Sequence, residues 1–301
     1  MPSKQQNTSA NASLRVLRSG PFTTVQDIGR AGRGNQGVAR SGAFDITSFR
    51  RANRLVGNLE SAAALEVLLG PVEFAAVTSI IFAATGTNAS VDVIGVDGRN
   101  RREPTDAAVG VRAGERVLIG PPTKGLRTYL SFRGGLEHQS TLGSCSFDSL
   151  GKIGPPPIGE GDELHIGHSA PTEPWYESFP VRPIEEPILL PLRLGPREDW
   201  LLTDAPGEVL SRSTWTVDAA SNRTGIRLDG TPLTRRPGDL ASEAMVPGAV
   251  QVPPNGLPIV LGPDGGTTGG YPVVGVVTRR GLDVLAQCRP GQHVRFHILR
   301  S

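Results

Sequence analysis

Short apolar runs bounded by glycine or proline recur along this chain and constrain its fold more than any other feature. Glycine and proline account for 38 and 26 of the 301 residues, and both are spread along the chain. Because these residues mark turns, the spacing predicts many short strands, which is typical of a β-barrel or a β-sandwich. The predicted strands are 14–17, 72–76, 79–84, 90–94, 116–119, 128–132, 189–194, 250–252 and 294–299.

Two segments have helical patterns instead. In 44–56 the apolar residues Ile46, Phe49 and Val56 recur near the helical period. Asp45 is the expected N-cap of this helix and Gly57 its expected stop. A shorter helix is predicted at 282–287.

The two halves of the chain repeat three short motifs in the same order. The pairs are VLRSGP (16–21) with PLRLGP (191–196), ANRLVG (52–57) with SNRTGI (221–226), and RAGERVLI (112–119) with RPGQHVRF (289–296). This repetition predicts a mainly β chain of two tandem β-barrel units with few short helices. We place the units at 14–185 and 186–301, with a linker-like composition at 171–187 and a polar, disordered tail at 1–13.

Composition and missing motifs exclude several classes of function. The 31 basic and 29 acidic residues are interspersed, so no basic patch for nucleic acid is expected. No apolar stretch is long enough to span a membrane, and we expect a soluble cytoplasmic protein. The sequence has neither a Gly-x-x-x-x-Gly-Lys phosphate loop nor a Gly-x-Ser-x-Gly nucleophile motif.

Metal and biotin sites are not expected on this chain either. The pair His293 and His297 could share one face of a strand, but it lacks a third ligand nearby. Val246 in SEAMVPG stands where a biotin acceptor loop would carry its lysine. No catalytic residue can be assigned from these patterns.

Two glycine-rich segments carry the candidate binding residues. In 19–45, polar side chains lie among glycines that let a backbone approach a ligand closely; the candidates are Gln26, Asp27, Arg30 and Ser41. In GTTGGYP (266–272), the candidates are Thr267, Thr268, Gly269, Gly270 and Tyr271. The backbone N–H groups of Gly269 and Gly270 are predicted to form an anion-binding nest. Together the segments predict a concave site for a small polar substrate with carboxylate, amide or phosphate groups.

At these residues the sequence resembles the allophanate hydrolase subunit 2 family. The resemblance covers about 14–298 and is carried by GPFTTVQDIGRAG, SGAFD, ANRLVGN, AALEVLLG, SNRTGIRLDG, PGAVQVPPNGLPIVL and TTGGYPVVG. This family is also called KipA-like or biotin-dependent carboxyltransferase-like, and it includes the C subunit of 5-oxoprolinase. The resemblance implies cyclophilin-like β-barrels and adds Asn222, Arg223 and Gln251 to the substrate-binding candidates.

The resemblance implies a component of a heteromeric, ATP-dependent 5-oxoprolinase that opens the 5-oxoproline lactam to glutamate. Such a chain acts with a KipI-like subunit and a LamB/YcsF-like subunit. It binds no cofactor alone and is expected to be inactive alone, while the complex uses ATP. The segment from Phe44 to Arg51 is a candidate exposed contact with the partner.

Two alternatives stay open. In the first, the chain is a carboxyltransferase component of a biotin-dependent urea or amide carboxylase, with biotin on a separate carrier. In the second, it is a non-enzymatic regulator that binds a KipI-like kinase inhibitor. Some positions depart from the family pattern: Cys145 replaces an arginine, Gly266 replaces a glutamine, and Gly86-Thr87-Asn88 replaces a more usual Gly-Ala-Asp/Asn.

Overall fold

The computed structural model of the chain describes residues 13–178, 186–238 and 240–299. Its helices are α1 (Ile46–Leu55), α2 (Pro206–Arg212) and α3 (Arg279–Leu285). Its strands are β1 (Leu14–Arg18), β2 (Phe22–Gln26), β3 (Ala64–Leu68), β4 (Val72–Ala76), β5 (Ile80–Thr85), β6 (Val91–Ile94), β7 (Asn100–Glu103), β8 (Ala108–Val111), β9 (Arg116–Ile119), β10 (Arg127–Phe132), β11 (Glu163–Leu164), β12 (Ile188–Leu194), β13 (Trp215–Val217), β14 (Gly225–Asp229), β15 (Glu243–Ala244), β16 (Ala249–Gln251), β17 (Ile259–Leu261), β18 (Thr268–Gly269), β19 (Val273–Val277) and β20 (His293–Ile298). The prediction of a mainly β chain with few short helices is confirmed.

The first eleven strands form two antiparallel sheets rather than the closed barrel predicted for the first unit. One sheet has the order β11-β1-β4-β9-β6-β7 and the other β2-β3-β10-β5-β8. Their inner faces share one apolar core, in which Phe74 of β4 meets Phe132 of β10 edge to face with ring centroids 6.1 Å apart. Apolar residues from the strands other than β7, whose residues are all polar or charged, face this core, as expected for two stacked sheets.

The later strands form a closed barrel, as predicted for the second unit. Seven strands follow the order β12-β19-β16-β17-β14-β13-β20, and parallel pairing of β12 with β20 closes the circle. Leu190, Leu192, Trp215 and Phe296 are buried inside it. Helix α2 packs on β20 and helix α3 on β12.

Helix α1 confirms the capping pattern seen in the sequence. The Asp45 carboxylate accepts a hydrogen bond from the Ser48 N–H at 2.9 Å, which satisfies one of the unpaired donors of the first turn. The buried Phe49 ring lies 6.2 Å from the ring of Tyr129 on β10, so α1 covers the outer face of the second sheet.

Phe44, just before α1, belongs to the core of the second unit although it comes from the first half of the chain. Its side chain is fully buried among the barrel residues, and the Arg127 guanidinium lies 4.8 Å from the centre of its ring. The expectation that Phe44 to Arg51 is an exposed contact loop was therefore wrong for Phe44, because burial in the barrel core outweighs exposure of so large an apolar ring.

The three pairs of repeated motifs differ in whether both members have the same secondary structure. The first pair lies on β1 and β12, and the third leads into β9 and β20. The second pair differs, since 52–57 ends helix α1 whereas 221–226 leads into β14. Part of the predicted linker packs on the first unit, where the Trp175 N–H donates to the Leu55 carbonyl at 2.7 Å. The predicted tail lies outside the described residues except for Ser13.

Candidate functional site

The first glycine-rich segment contacts the residues that immediately precede GTTGGYP, and both segments line one cleft between the units. The Ser41 N–H donates to the Pro263 carbonyl at 2.8 Å, and the Ser41 hydroxyl donates to Asp264 Oδ1 at 2.8 Å. The first segment folds back on itself there, because the Arg30 N–H donates to the Arg40 carbonyl at 2.6 Å. Residues far apart in the sequence therefore share one wall.

Two glycines make this fold-back possible. A Cβ atom on Gly29 would lie 2.6 Å from the Arg40 carbonyl oxygen, and one on Gly42 would lie 2.8 Å from the Gly29 nitrogen. Both residues also have positive φ angles, of 83° and 88°. Glycine is thus needed for both space and conformation.

A cleft of about 190 Å³ opens where the segments meet, and we call it the small cleft. It is lined by Arg30, Ala31, Gly32, Arg33, Gly34, Val38, Ala39, Arg40, Met245, Val246, Pro247, Leu261, Gly262, Pro263, Gly265, Gly266 and Thr267. Arg33 and Arg40 make no ion pair or side-chain hydrogen bond within the described part of the chain. With three arginines and no carboxylate among these lining residues, the small cleft suits an anionic group.

Arg30 forms the buried base of this arrangement. Its side chain is 1% exposed, its Nε donates to the Thr141 carbonyl at 3.0 Å and its Nη2 donates to the Ser146 carbonyl. Its buried Nη1 has no hydrogen-bond partner among the described residues. Burial lowers the pKa of Arg30, an effect opposed by Asp27.

Asp27 and Gln26 support the small cleft from behind rather than lining it. The Asp27 carboxylate accepts hydrogen bonds of 2.6–2.7 Å from the Gly29 and Cys145 N–H groups and the Ser144 and Ser146 hydroxyls. Gln26 Nε2 donates to the Phe147 carbonyl at 3.0 Å. Both side chains therefore hold the 141–147 loop, and Cys145, at the departure from the family pattern, contributes its backbone N–H.

The GTTGGYP segment forms a short flap next to the small cleft. Strand β18 pairs with β15, and the Met245 N–H donates to the Thr267 carbonyl at 2.9 Å. Gln251 lies behind the flap, where its Nε2 is 3.5 Å from Met245 Sδ. Neither Gly269 nor Gly270 has a positive φ, so the predicted anion-binding nest is not formed, because a nest needs a left-handed residue.

The predicted substrate-binding residues therefore do not all lie in one cleft. Of those predicted, only Arg30 and Thr267 line the small cleft. Thr268 and Gly269 lie on β18, while Gly270 and the half-exposed Tyr271 follow it. Asn222 caps a turn by accepting from the Thr224 N–H at 2.8 Å.

Arg223 lies at the centre of a buried ionic network between the units. Its Nη1 is 2.6 Å from Glu66 Oε1, its Nε is 2.8 Å from Asp264 Oδ2, and its Nη2 donates to the Gly42 carbonyl at 2.7 Å. Burial alone would lower the pKa of Arg223, but Asp264 and Glu66 together raise it. Burial would raise the pKa of Glu66, but Arg223 and Arg127 hold it below its usual value.

Sequence reasoning missed Glu66, Asp264, Arg127 and Tyr129. The Tyr129 hydroxyl donates to Glu66 Oε2 at 2.8 Å, and the Ser149 hydroxyl donates to Asp264 Oδ2 at 2.7 Å. A signal for Glu66 was present, since it is the one charge in the apolar run AALEVLLG. A charge inside such a run calls for a buried partner.

A second, larger cleft of about 670 Å³ lies between the units, and we call it the large cleft. Its lining residues are Phe22, Glu66, Leu68, Leu69, Leu126, Arg127, Ser149, Leu150, Lys152, Val217, Ala219, Ser221, Asn222, Arg223, Thr224, Ile226, Cys288 and Pro290. The candidates Asn222 and Arg223 thus lie here rather than in the small cleft.

Metal-binding side chains are scattered rather than grouped in the described residues. Within these ranges, no three His, Cys, Asp or Glu side chains lie together so that they could hold a metal ion. None of the three α-helices of the described chain has the length and hydropathy to cross a membrane.

Comparisons with known proteins agree with the motif resemblance. The chain is 35% identical over 289 residues to the 5-oxoprolinase C subunit of Escherichia coli K12, covering 94% of this chain and 90% of that protein. The crystal structure of TTHA0988 superposes with a TM-score of 0.85 at 33% identity, covering 99% of this chain and 57% of that chain. The Kluyveromyces lactis urea carboxylase superposes with a TM-score of 0.84 at 26% identity, covering 96% of this chain and 27% of that chain.

A family model covers both units. The model of the carboxyltransferase domain, subdomain A and B, matches residues 36–298. This range includes the large cleft except for Phe22, and all of the small cleft after Gly34. The chain therefore belongs to the family of carboxyltransferase domains with subdomains A and B.

Proposed function

We propose that this chain is the C subunit of an ATP-dependent 5-oxoprolinase, a hydrolase that opens a cyclic amide as part of a complex. The observation that carries the proposal is the 35% identity to the Escherichia coli protein across nearly the full length of both chains. The chain's partners in this proposal are a KipI-like subunit and a LamB/YcsF-like subunit in the cytoplasm.

The small cleft supports this substrate class. 5-Oxoproline is a compact lactam ring that carries one carboxylate. Arg33 and Arg40 present guanidinium groups without a described partner, and guanidinium groups pair with carboxylates through directed, charge-assisted hydrogen bonds. The buried Arg30 adds a positive charge to the same wall. We infer that Arg33 and Arg40 hold the substrate carboxylate.

The reaction explains why a complex is required. A lactam is stabilised by amide resonance, so its carbonyl must be activated before water can open the ring. ATP supplies that activation, and ADP, phosphate and glutamate are the products. Because the sequence has no phosphate loop, we propose that ATP is bound together with the partner subunits.

The proposal is tested by glutamate release from 5-oxoproline and ATP. This chain is expressed with the KipI-like and LamB/YcsF-like proteins of its own source, and the control omits this chain alone. We expect turnover from the full set and none without this chain. Full turnover in its absence, or no turnover from a complex shown to assemble, overturns the proposal.

Substitutions in the small cleft test the assigned role of its arginines. Arg33→Gln and Arg40→Gln are expected to raise KM for 5-oxoproline about tenfold each, because each removes a charged hydrogen bond of about 1.4 kcal/mol or more. Arg18→Gln is the matched control, since Arg18 is exposed on β1 and lines neither cleft. An equal rise in KM in all three variants would remove the arginines from substrate binding.

The second candidate is a carboxyltransferase component of a biotin-dependent system. The family description and the superposition with urea carboxylase favour it. Biotin would be carried by a separate protein, because Val246 occupies the acceptor position in SEAMVPG. Transfer of labelled carboxylate from a carboxybiotin carrier to urea, dependent on this chain, would support this candidate.

A further inference from the structure

The large cleft has walls that differ in chemistry from those of the small cleft. Ten of its eighteen lining residues are apolar, and they come from both units. Phe22, Leu69 and Leu150 form part of the wall on the first unit, and Val217 and Ile226 on the second. Its volume of about 670 Å³ is in the range of clefts that bind small molecules. Such walls favour a ligand with a hydrophobic body.

The charged residues of the large cleft are mainly cations. Arg127, Arg223 and Lys152 line it, against the single carboxylate of Glu66. That carboxylate is already used, because it accepts from Arg223 Nη1 at 2.6 Å, from the Phe44 N–H at 3.0 Å and from the Tyr129 hydroxyl at 2.8 Å. A cationic ligand would therefore find no open carboxylate among these lining residues.

Arg127 and Lys152 each have hydrogen-bond donors that are not paired within the described part of the chain. The Arg127 side chain is 5% exposed, its Nη1 donates to the Ala286 carbonyl and its Nε is 3.5 Å from Glu66 Oε1. Its Nη2 makes no hydrogen bond within the described part of the chain. Lys152 lies at the rim, with its ammonium 5.8 Å from the centre of the Phe147 ring. Arg223 is not available to a ligand carboxylate, because its guanidinium is already paired with both carboxylate oxygens of Asp264.

We propose that the large cleft binds an amphipathic monocarboxylate, a hydrophobic chain or ring with one carboxylate, at a site separate from the small cleft. The apolar wall takes the body of the ligand, and Lys152 and Arg127 Nη2 take the carboxylate. The buried charges of Arg127 and Arg223 are balanced by those of Glu66 and Asp264, so Lys152 leaves one net positive charge in a mainly apolar cleft. That charge matches a single carboxylate and leaves a polyanion such as a nucleotide poorly paired.

Octanoate is the test probe, and 1-octanol of equal chain length is the neutral control. Each is titrated into the purified full-length chain by calorimetry. We expect saturable binding of octanoate at one site and binding of 1-octanol weaker by at least about tenfold, the effect of one charged hydrogen bond. Absence of saturable octanoate binding at millimolar concentration, or equal affinity for 1-octanol, overturns the proposal.

Variants at the rim of the large cleft distinguish binding of the carboxylate from binding of the hydrophobic body of the ligand. Lys152→Gln is expected to weaken octanoate and leave 1-octanol unchanged, whereas Leu150→Ser is expected to weaken both. Both positions are exposed, so folding is expected to be retained. The matched controls are Lys124→Gln and Leu59→Ser, which are exposed and lie outside the cleft. Equal losses of binding in the variants and the controls would contradict the site. Loss of octanoate binding when the partner subunits assemble would also contradict it and would assign the cleft to a partner.

Discussion

Arg223 Nη1 lies 2.6 Å from Glu66 Oε1, and this buried ion pair joins the second unit to the first. Each side chain is only 4% exposed. The same guanidinium binds Asp264, which holds Ser41 and Ser149 through their hydroxyls. One arginine therefore organises the floor of the large cleft and the turn that forms a wall of the small cleft.

Loss of Arg223 is expected to be severe. Arg223→Leu leaves Glu66 and Asp264 buried without their main partner, which costs about 3–5 kcal/mol in the free energy of unfolding. The measurement is urea unfolding of the purified chain. The control is Arg212→Ala, which removes the exposed pair with Glu208 and is expected to change stability by at most about 1 kcal/mol. Equal effects of the two variants would contradict the structural role of the network.

Phe44→Ala tests the packing of a first-unit side chain in the second-unit core. Phe44 is fully buried, so truncation leaves a cavity and is expected to cost about 3–5 kcal/mol in the free energy of unfolding. Leu59→Ala is the control, because Leu59 is 64% exposed. A cost below about 1 kcal/mol for Phe44→Ala would show that the ring does not stabilise the contact between the units.

Gly42 and Gly32 form a matched pair for testing the small cleft. Both have positive φ, but a Cβ on Gly42 would lie 2.9 Å from the Ile28 carbonyl carbon, whereas one on Gly32 meets nothing within 4 Å. Gly32→Ala is expected to cost roughly 1–2 kcal/mol from backbone strain alone. Gly42→Ala is expected to cost more and, if the proposed function holds, to raise KM for 5-oxoproline. Thermal unfolding and KM measured for both variants check this, and equal stabilities would contradict the close approach.

Asp106 is expected to make stability depend on pH. Burial, opposed by Arg51, raises the pKa of the buried Asp106 carboxyl to about 6 from an ordinary value of 3.8. The folded state therefore binds the proton more tightly than the unfolded chain does, so this contribution to stability is present below about pH 4 and is lost as pH rises to about 6.

Asp106→Asn isolates the contribution of this carboxyl. The variant has no proton to lose, so the stability of wild type relative to the variant should fall between pH 4 and pH 7 by up to roughly 3 kcal/mol. Urea unfolding at several pH values measures both proteins. A constant difference across this range would show that Asp106 is ionised normally in the folded chain.

Local patterns in the sequence were sufficient to predict much of the secondary structure. Asp45 caps α1 as predicted, and strands such as β4 and β9 begin and end within a residue of their predicted bounds. These features depend on neighbours a few positions away, such as a capping carboxylate or a glycine turn. The family resemblance rested on motifs of the same kind and is confirmed by the matched family model. The unit boundaries and the cyclophilin-like character stay predictions.

The tertiary structure alone decided which polar residues form a site. Glu66 and Arg223 are 157 positions apart, and the fold brings them to 2.6 Å. Asp27, chosen as a substrate ligand, has its carboxylate oxygens occupied by the 144–146 loop and Gly29. Residue type indicates that a side chain can bind, but free donors remain only where the folded chain has not already paired them. That pairing is set by long-range packing, and no local pattern encodes it.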